Sequence, residues 1–215
     1  MNPFKRIIDG VTDESVWKRA GWMYVSFFLV FEPVIVLSYY LLAEAMLRGK
    51  HPIISGLEFS PRRWVSTLQI FGYNLIPTFL IIGSSLLAQQ SRQSRDRFVP
   101  IGYTAFWGLT VMFGVIVGTW SFDVITAAPP LLDRIARLFD VVHHAGLLEF
   151  SAYLLAAVTA YRFTLWYSDR KSIIRTRRWR EVRLEGSEKI LLGLSFVLLL
   201  RAALVESYGI IQLSG

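Results

Sequence analysis

Five long apolar runs, separated by segments rich in charged and turn residues, dominate the pattern of the chain. Each run reaches the ~20 residues that a helix needs to cross a hydrocarbon core of ~30 Å. Backbone groups in lipid must be satisfied within their own segment, so such runs are expected to be helical. No run carries a polar stripe wide enough to face water, which argues against a soluble bundle. The runs are residues 21–47, 66–88, 100–120, 145–166 and 190–213.

The pattern predicts an all-α, polytopic integral membrane protein: a single domain over residues 1–215, with five transmembrane helices and short interfacial helices. Thr12-Asp13-Glu14-Ser15 is typical of a helix N-cap and first turn, and predicts a short helix on the inner membrane surface. Pro129-Pro130, followed by apolar residues at helical spacing, predicts a second interfacial helix on the outer side. There Asp133, Arg134 and Arg137 occupy the other faces.

Composition supports the membrane prediction. Hydrophobic residues make up 53% of the chain and charged residues 18%, below the ~25% of soluble domains. Mean hydropathy is +0.44. The absence of cysteine excludes disulfides, thiol catalysis and thiolate metal sites.

The net charge of +7 is explained mainly by topology. Lysine and arginine are concentrated before the first run and in the second and fourth connections, and are fewer in the others. The positive-inside rule therefore predicts a cytoplasmic-membrane protein with a cytoplasmic N-terminus and an external C-terminus. The basic fourth connection is expected to bind anionic lipid head groups or a cytoplasmic partner, and nothing in it resembles a nucleic-acid-binding module. Its arginines include Arg175, Arg177, Arg178, Arg180 and Arg183.

Charged and amide side chains inside the runs are the candidate functional residues. Charge within a bilayer is costly and usually has a partner. Glu32 and Arg201 each lie about 11 residues from the cytoplasmic ends of their runs, which predicts an intramembrane ion pair. Asn74, Glu149 and Glu206 are expected to form a polar cluster nearer the outer side. This cluster is interpreted first as a clamp between helices, with a cavity for ions or lipid head groups, or a catalytic site, as alternatives.

Small residues predict where helices pack closely. Gly114 and Gly118 form a small-xxx-small pair in the third run. A ridge of alanines shares the face of Glu149 in the fourth run, which directs that carboxyl toward another helix. The ridge includes Ala145, Ala152 and Ala156.

Two motifs carry a family resemblance. Gly146-Leu147-Leu148-Glu149, preceded by histidine and followed by an alanine-rich helix, resembles the His-Gly-x-x-Glu-Leu signature of the stage II sporulation protein M family. Ala202-Ala203-Leu204-Val205-Glu206 resembles that family's closing segment, and Asn74 stands where the family carries asparagine. Ala145 separates His144 from Gly146, and Arg201 is not part of the pattern, so the chain resembles a divergent member.

The resemblance implies a five-span protein that acts without catalysis inside a multi-protein membrane assembly. Its partners would be other membrane subunits, with a homo-oligomer or a cytoplasmic partner as further possibilities. A transporter or permease subunit, driven by a partner ATPase or an ion gradient, is the alternative. A metalloenzyme is disfavoured because His143 and His144 are adjacent and point in different directions, and a haem scaffold because no histidine lies within a span. No cofactor or metal is therefore expected.

Overall fold

The computed structural model describes residues 2–49, 60–91, 97–122, 127–140, 145–169 and 172–214, with the backbone alone for 136–140 and 210–214. The described chain is mostly helical. Its helices are α1 (Pro3–Val11), α2 (Val16–Leu41), α3 (Arg63–Ser84), α4 (Ile101–Gly118), α5 (Leu131–Asp140), α6 (Ala145–Ala160) and α7 (Gly186–Ser214). Short strands are β1 (Leu87–Gln90), β2 (Phe98–Pro100), β3 (Trp166–Ser168) and β4 (Ile173–Arg175).

Within the described ranges, four helices are long and apolar enough to cross a membrane: α2, α3, α4 and the Gly186–Gly209 part of α7. The fourth predicted span corresponds to α6, which has 16 residues and is followed by a 3₁₀ turn at Tyr161–Phe163. Helix and turn together rise about 30 Å. The sequence therefore located all five apolar helices, while four of them meet the length expected of a span.

α6 is the central helix of the bundle. It packs against α2, α3, α4 and α7, and its residues from Ala152 to Ala160 are buried. The three alanines of the predicted ridge, Ala145, Ala152 and Ala156, are all enclosed. Small side chains let four neighbours approach this helix. The outer helices instead expose large apolar side chains such as Leu29, Phe79 and Val197.

α2 and α4 pack through the predicted glycine pair. A Cβ added to Gly114 would lie 2.8 Å from the Val34 side chain, and one added to Gly118 would lie 2.6 Å from the Ile35 carbonyl oxygen. Larger residues at these positions would push the two helices apart. The predicted packing role of both glycines is therefore supported by their contacts.

The helices alternate in direction. We call the end at which α2 and α7 begin the basal end, and the opposite end the distal end. Arg19 of α2 contacts the Val158 carbonyl near the end of α6, and Thr164 contacts the Ser85 carbonyl just after α3. α3 and α6 therefore finish where α2 and α7 start, as expected for successive antiparallel crossings.

A four-stranded sheet lies at the basal end, in the order β2-β1-β3-β4. The hairpins β1–β2 and β3–β4 are antiparallel, and β1 pairs with β3 in parallel. This sheet is a departure from the all-α prediction. The sheet joins two connections that are remote in sequence, so no local sequence pattern predicted it.

The two predicted short helices are found in part, and their place at a membrane interface stays a prediction. α5 begins directly after Pro129-Pro130, as predicted. At the N-terminus, however, the short helix is α1, which ends at Val11 and precedes the predicted start motif. Ser15 instead stands at the N-cap of the long helix α2. The motif is a helix start, but of the first long helix.

Candidate functional site

The central polar cluster joins α3, α6 and α7. The Asn74 side-chain amide donates a hydrogen bond to Glu149 Oε1 at 2.5 Å. The Tyr153 hydroxyl, one turn further along α6, donates to Asn74 Oδ1 at 3.2 Å. Glu206 of α7 lies close enough to interact electrostatically with Glu149. The structure therefore brings together Asn74, Glu149 and Glu206 and adds Tyr153, which the sequence reading missed.

Neighbouring hydroxyls extend the contacts between the same helices. Thr67 of α3 and Ser207 of α7 share a buried hydrogen bond of 2.8 Å between their hydroxyl oxygens. Ser195 of α7 donates to the Ala152 carbonyl of α6 at 2.8 Å. Polar groups in an apolar bundle are thus satisfied mainly by one another, which holds three helices in register.

A buried ionic network, absent from the sequence reading, occupies the basal end. Arg19 and Glu188 have side chains 0% and 1% exposed, with 2.6 Å between Nη2 and Oε1. Arg19 also donates to the carbonyls of Asp13, Glu14 and Val158, so four acceptors surround its guanidinium. Its charge lies 4.7 Å from the centre of the Tyr161 ring. Such complete pairing is what makes a buried guanidinium tolerable.

Arg162 closes this network from outside the bundle. It donates to Glu188 Oε1 at 3.0 Å and to Glu185 Oε1 at 2.7 Å. These contacts give the buried carboxylate of Glu188 two arginine partners.

One local signal for the network was present in the sequence. Glu188 is the third residue of α7, and its Oε2 accepts a hydrogen bond from the Glu185 backbone N–H at 2.9 Å. This is the reciprocal half of a capping box, which Glu at that position typically forms. The helix start was therefore readable, but the approach of Arg19 was not.

The distal end is organised by Arg134, which the sequence reading assigned to a polar face of α5. Its side chain is only 5% exposed. It donates to the carbonyls of Pro129 and Gly118, and lies 3.5 Å from Glu44. The sequence did not predict this enclosure, which arises because the end of α4 offers carbonyl groups that no further helical turn satisfies.

The predicted Glu32–Arg201 ion pair does not form within the chain. Both side chains are exposed, and neither has an ion-pair partner in the described ranges. α2 and α7 both pack on α6, and the two charged side chains lie on exposed parts of these helices. The sequence placed the two charges along their helices but could not fix the faces that carry them.

The basic fourth connection has two kinds of arginine. Arg177 donates to the Thr164 carbonyl at 2.6 Å and so supports the basal sheet. The others remain on the surface: Arg175, Arg178, Arg180 and Arg183 are exposed. His143 and His144 lie outside the described residues. In the part of the chain that is described, no group of three or more His, Asp or Glu side chains could hold a metal ion.

Comparison with known proteins agrees with the motifs. The sequence model of the family described as stage II sporulation protein M matches residues 24–209, which include α3, α4, α6 and most of α2 and α7. No curated protein and no solved structure matches the chain. Since the match spans well over half of the sequence, the chain belongs to the stage II sporulation protein M family.

Proposed function

We propose that this chain is a non-catalytic integral subunit of a membrane protein complex, a single domain embedded in the cytoplasmic membrane. The observation that carries the proposal is the outward orientation of Glu32 and Arg201. A charge at the centre of a bilayer costs at least ~2.5–3.5 kcal/mol, and such residues almost always face protein or water. Two outward charges on otherwise apolar faces therefore favour contact with another polypeptide.

The interior of the bundle supports a non-catalytic role. Asn74, Glu149 and Tyr153 are engaged with one another. A catalytic carboxyl would need a free face toward a substrate site. We interpret the cluster as a clamp that sets the register of α3, α6 and α7.

Orientation and surface binding belong to the same proposal. We place the basal end in the cytoplasm, because the exposed arginines of the fourth connection lie there. Those side chains would bind anionic lipid head groups at about 1 kcal/mol each, or a cytoplasmic partner. In this arrangement α6 provides the fifth crossing and the C-terminus lies outside.

Cysteine labelling tests this orientation. The chain has no cysteine, so Ser172→Cys and Ser60→Cys should react with an impermeant maleimide from opposite sides of the membrane.

The experiment that tests the subunit proposal is gentle extraction of the tagged chain from its native membrane, followed by mass spectrometry. We expect other membrane proteins at constant stoichiometry, reduced by Glu32→Gln or Arg201→Met. Lys18→Gln changes an exposed charge at the basal end of α2 and should leave the complex intact. Recovery of this chain without any other protein would contradict the proposal.

One observation favours a second candidate, a transport subunit. Glu149 and Glu206 are two carboxyls that interact inside the bundle, and paired intramembrane carboxyls are typical of proton and cation pathways. This function would require an energy source in a partner, because the sequence contains no nucleotide-binding motif.

A further inference from the structure

Glu32 and Arg201 lie at the same level of the bundle. The contact between Arg19 and Glu188 aligns α2 with α7 at the basal end. Glu32 follows Arg19 by 13 residues, and Arg201 follows Glu188 by the same number. Both helices run in the same direction, so each charge lies about 20 Å above the ion pair at 1.5 Å per residue. The level match is independent of whether the two side chains touch.

Each charge lies on an apolar stripe that faces outward. On α2 the stripe contains Val25, Leu29 and Glu32, spaced by four and three residues. On α7 it contains Ile190, Leu194, Val197 and Arg201, spaced by four, three and four. Residues at these spacings share one helix face. The two stripes therefore match in character and carry opposite charges at one level.

Neither charge can easily reach the membrane surface. Side chains of an α-helix lean toward its N-terminus, and α2 and α7 both begin at the basal end. Glu32 and Arg201 thus lean back into the depth of the membrane. Long side chains reach the interface chiefly from helix ends, and these two residues are far from the ends. They need a partner at their own level.

The surroundings of Glu32 suit an arginine. Glu32 borders a groove lined by Phe28, Phe31, Phe113 and Leu147. A guanidinium there would meet a carboxylate, which attracts it, beside aromatic side chains. The groove is formed by α2, α4, α5 and α6, whereas Arg201 of the same chain lies on α7.

We propose that copies of this chain associate side by side in the membrane, with Glu32 of one copy pairing with Arg201 of the next. This proposal rests on the proposed function as a complex subunit. It identifies a second copy of the chain as the partner that contacts these two charged surfaces. Copies with the same orientation are related by axes parallel to the membrane normal, and rotation about such an axis preserves depth. Contact between copies therefore requires complementary groups at equal levels. Contact with an unrelated protein would not require Glu32 and Arg201 to lie at the same level.

The test uses two full-length copies with different tags, co-expressed and extracted in mild detergent or lipid discs. One tag is captured and the other is measured. Charge reversal in both copies, as Glu32→Arg or as Arg201→Glu, places like charges at every contact. We expect each to lower co-capture about tenfold or more. When one copy carries Glu32→Arg and the other Arg201→Glu, every contact again joins opposite charges, and co-capture should return.

Only contact between chains can produce this reciprocal rescue, because each chain in the mixed sample carries a single reversal. Lys189→Glu, at an exposed position near the basal start of α7, is the matched control and should not reduce co-capture. Glu32→Gln with Arg201→Met provides a second, uncharged variant, expected to give monomers with unchanged thermal stability.

Two results would overturn the self-association. One is co-capture at the wild-type level for both charge-reversed variants, and the other is co-capture that stays low in the mixed pair. Neither result would bear on other proteins that co-purify from the native membrane and are identified by mass spectrometry. The subunit proposal would therefore stand. Rescue without any other co-purifying protein would establish the self-association and contradict the subunit proposal. The two failures are therefore distinguishable.

Discussion

Arg19 and Glu188, 169 residues apart in the chain, form a fully buried ion pair that joins the starts of α2 and α7. Because Arg162 binds the same carboxylate, the pair also anchors the end of α6. Three helices of the bundle are thus held together at one point. This contact sets the relative levels of α2 and α7 and so underlies the equal heights of Glu32 and Arg201.

Removing one partner of this pair should strongly destabilise the fold. Arg19→Met leaves Glu188 buried beside a single remaining arginine, and loss of one partner of a buried pair typically costs ~3–5 kcal/mol. We expect a large fall in apparent melting temperature in detergent. Arg19→Met with Glu188→Met should be less harmful than Arg19→Met alone. Lys18→Met, at the exposed neighbouring position, is the control. Equal stability of Arg19→Met and Lys18→Met would show that the pair contributes little.

Close packing of α2 against α4 predicts a position-dependent effect of adding a methyl group. Gly118→Ala would bring a Cβ within 2.6 Å of the Ile35 carbonyl oxygen, and should lower stability by about 1–3 kcal/mol through displacement of the helices. Gly108→Ala in the same helix meets nothing within 4 Å and should be tolerated. The two melting temperatures in detergent measure the difference. A tolerated Gly118→Ala would mean that the helices separate without cost.

Arg134 is expected to hold α5 to the distal end of α4. Arg134→Met removes the donors to the carbonyls of Gly118 and Pro129, and each buried carbonyl left without a partner costs ~1–3 kcal/mol. Proteolysis near α5 should become faster than in the wild type. Asp133→Asn, on the exposed side of the same turn, should leave the rate unchanged. If both variants are cleaved at the wild-type rate, α5 is held by its apolar contacts.

Variants of Glu149 in the central cluster distinguish the clamp interpretation from the transport alternative. Glu149→Gln keeps an oxygen that can accept from Asn74, so a clamp should survive with stability near that of wild type. Glu149→Leu leaves the Asn74 amide without its acceptor and should lower the melting temperature. A transport role predicts that Glu149→Gln abolishes an ion- or proton-linked flux in vesicles while folding persists. A flux that survives in Glu149→Gln would exclude the carboxyl from such a pathway.

The sequence by itself determined where the apolar helices lie and which polar residues fall within them. Apolar runs are constrained to helices because lipid offers no hydrogen bonds, and small residues mark close contacts because only they permit them. Counting residues along the helices placed Asn74, Glu149 and Glu206 at similar depths, and the structure brings these residues to one cluster. α5 was readable from Pro129-Pro130 because proline starts helices.

Only the tertiary structure decided which neighbours each residue meets. Arg19 and Arg134 are charged residues at helix ends, which by local pattern are expected at the surface, yet both are enclosed by remote carbonyls and carboxylates. The parallel pairing of β1 with β3 joins distant connections, so no local period encodes it. Depth along a helix follows from counting residues, which is why Glu32 and Arg201 were matched in level. The side of a helix that contacts its neighbours depends on the rotation of that helix within the bundle, and this rotation leaves both charged side chains exposed.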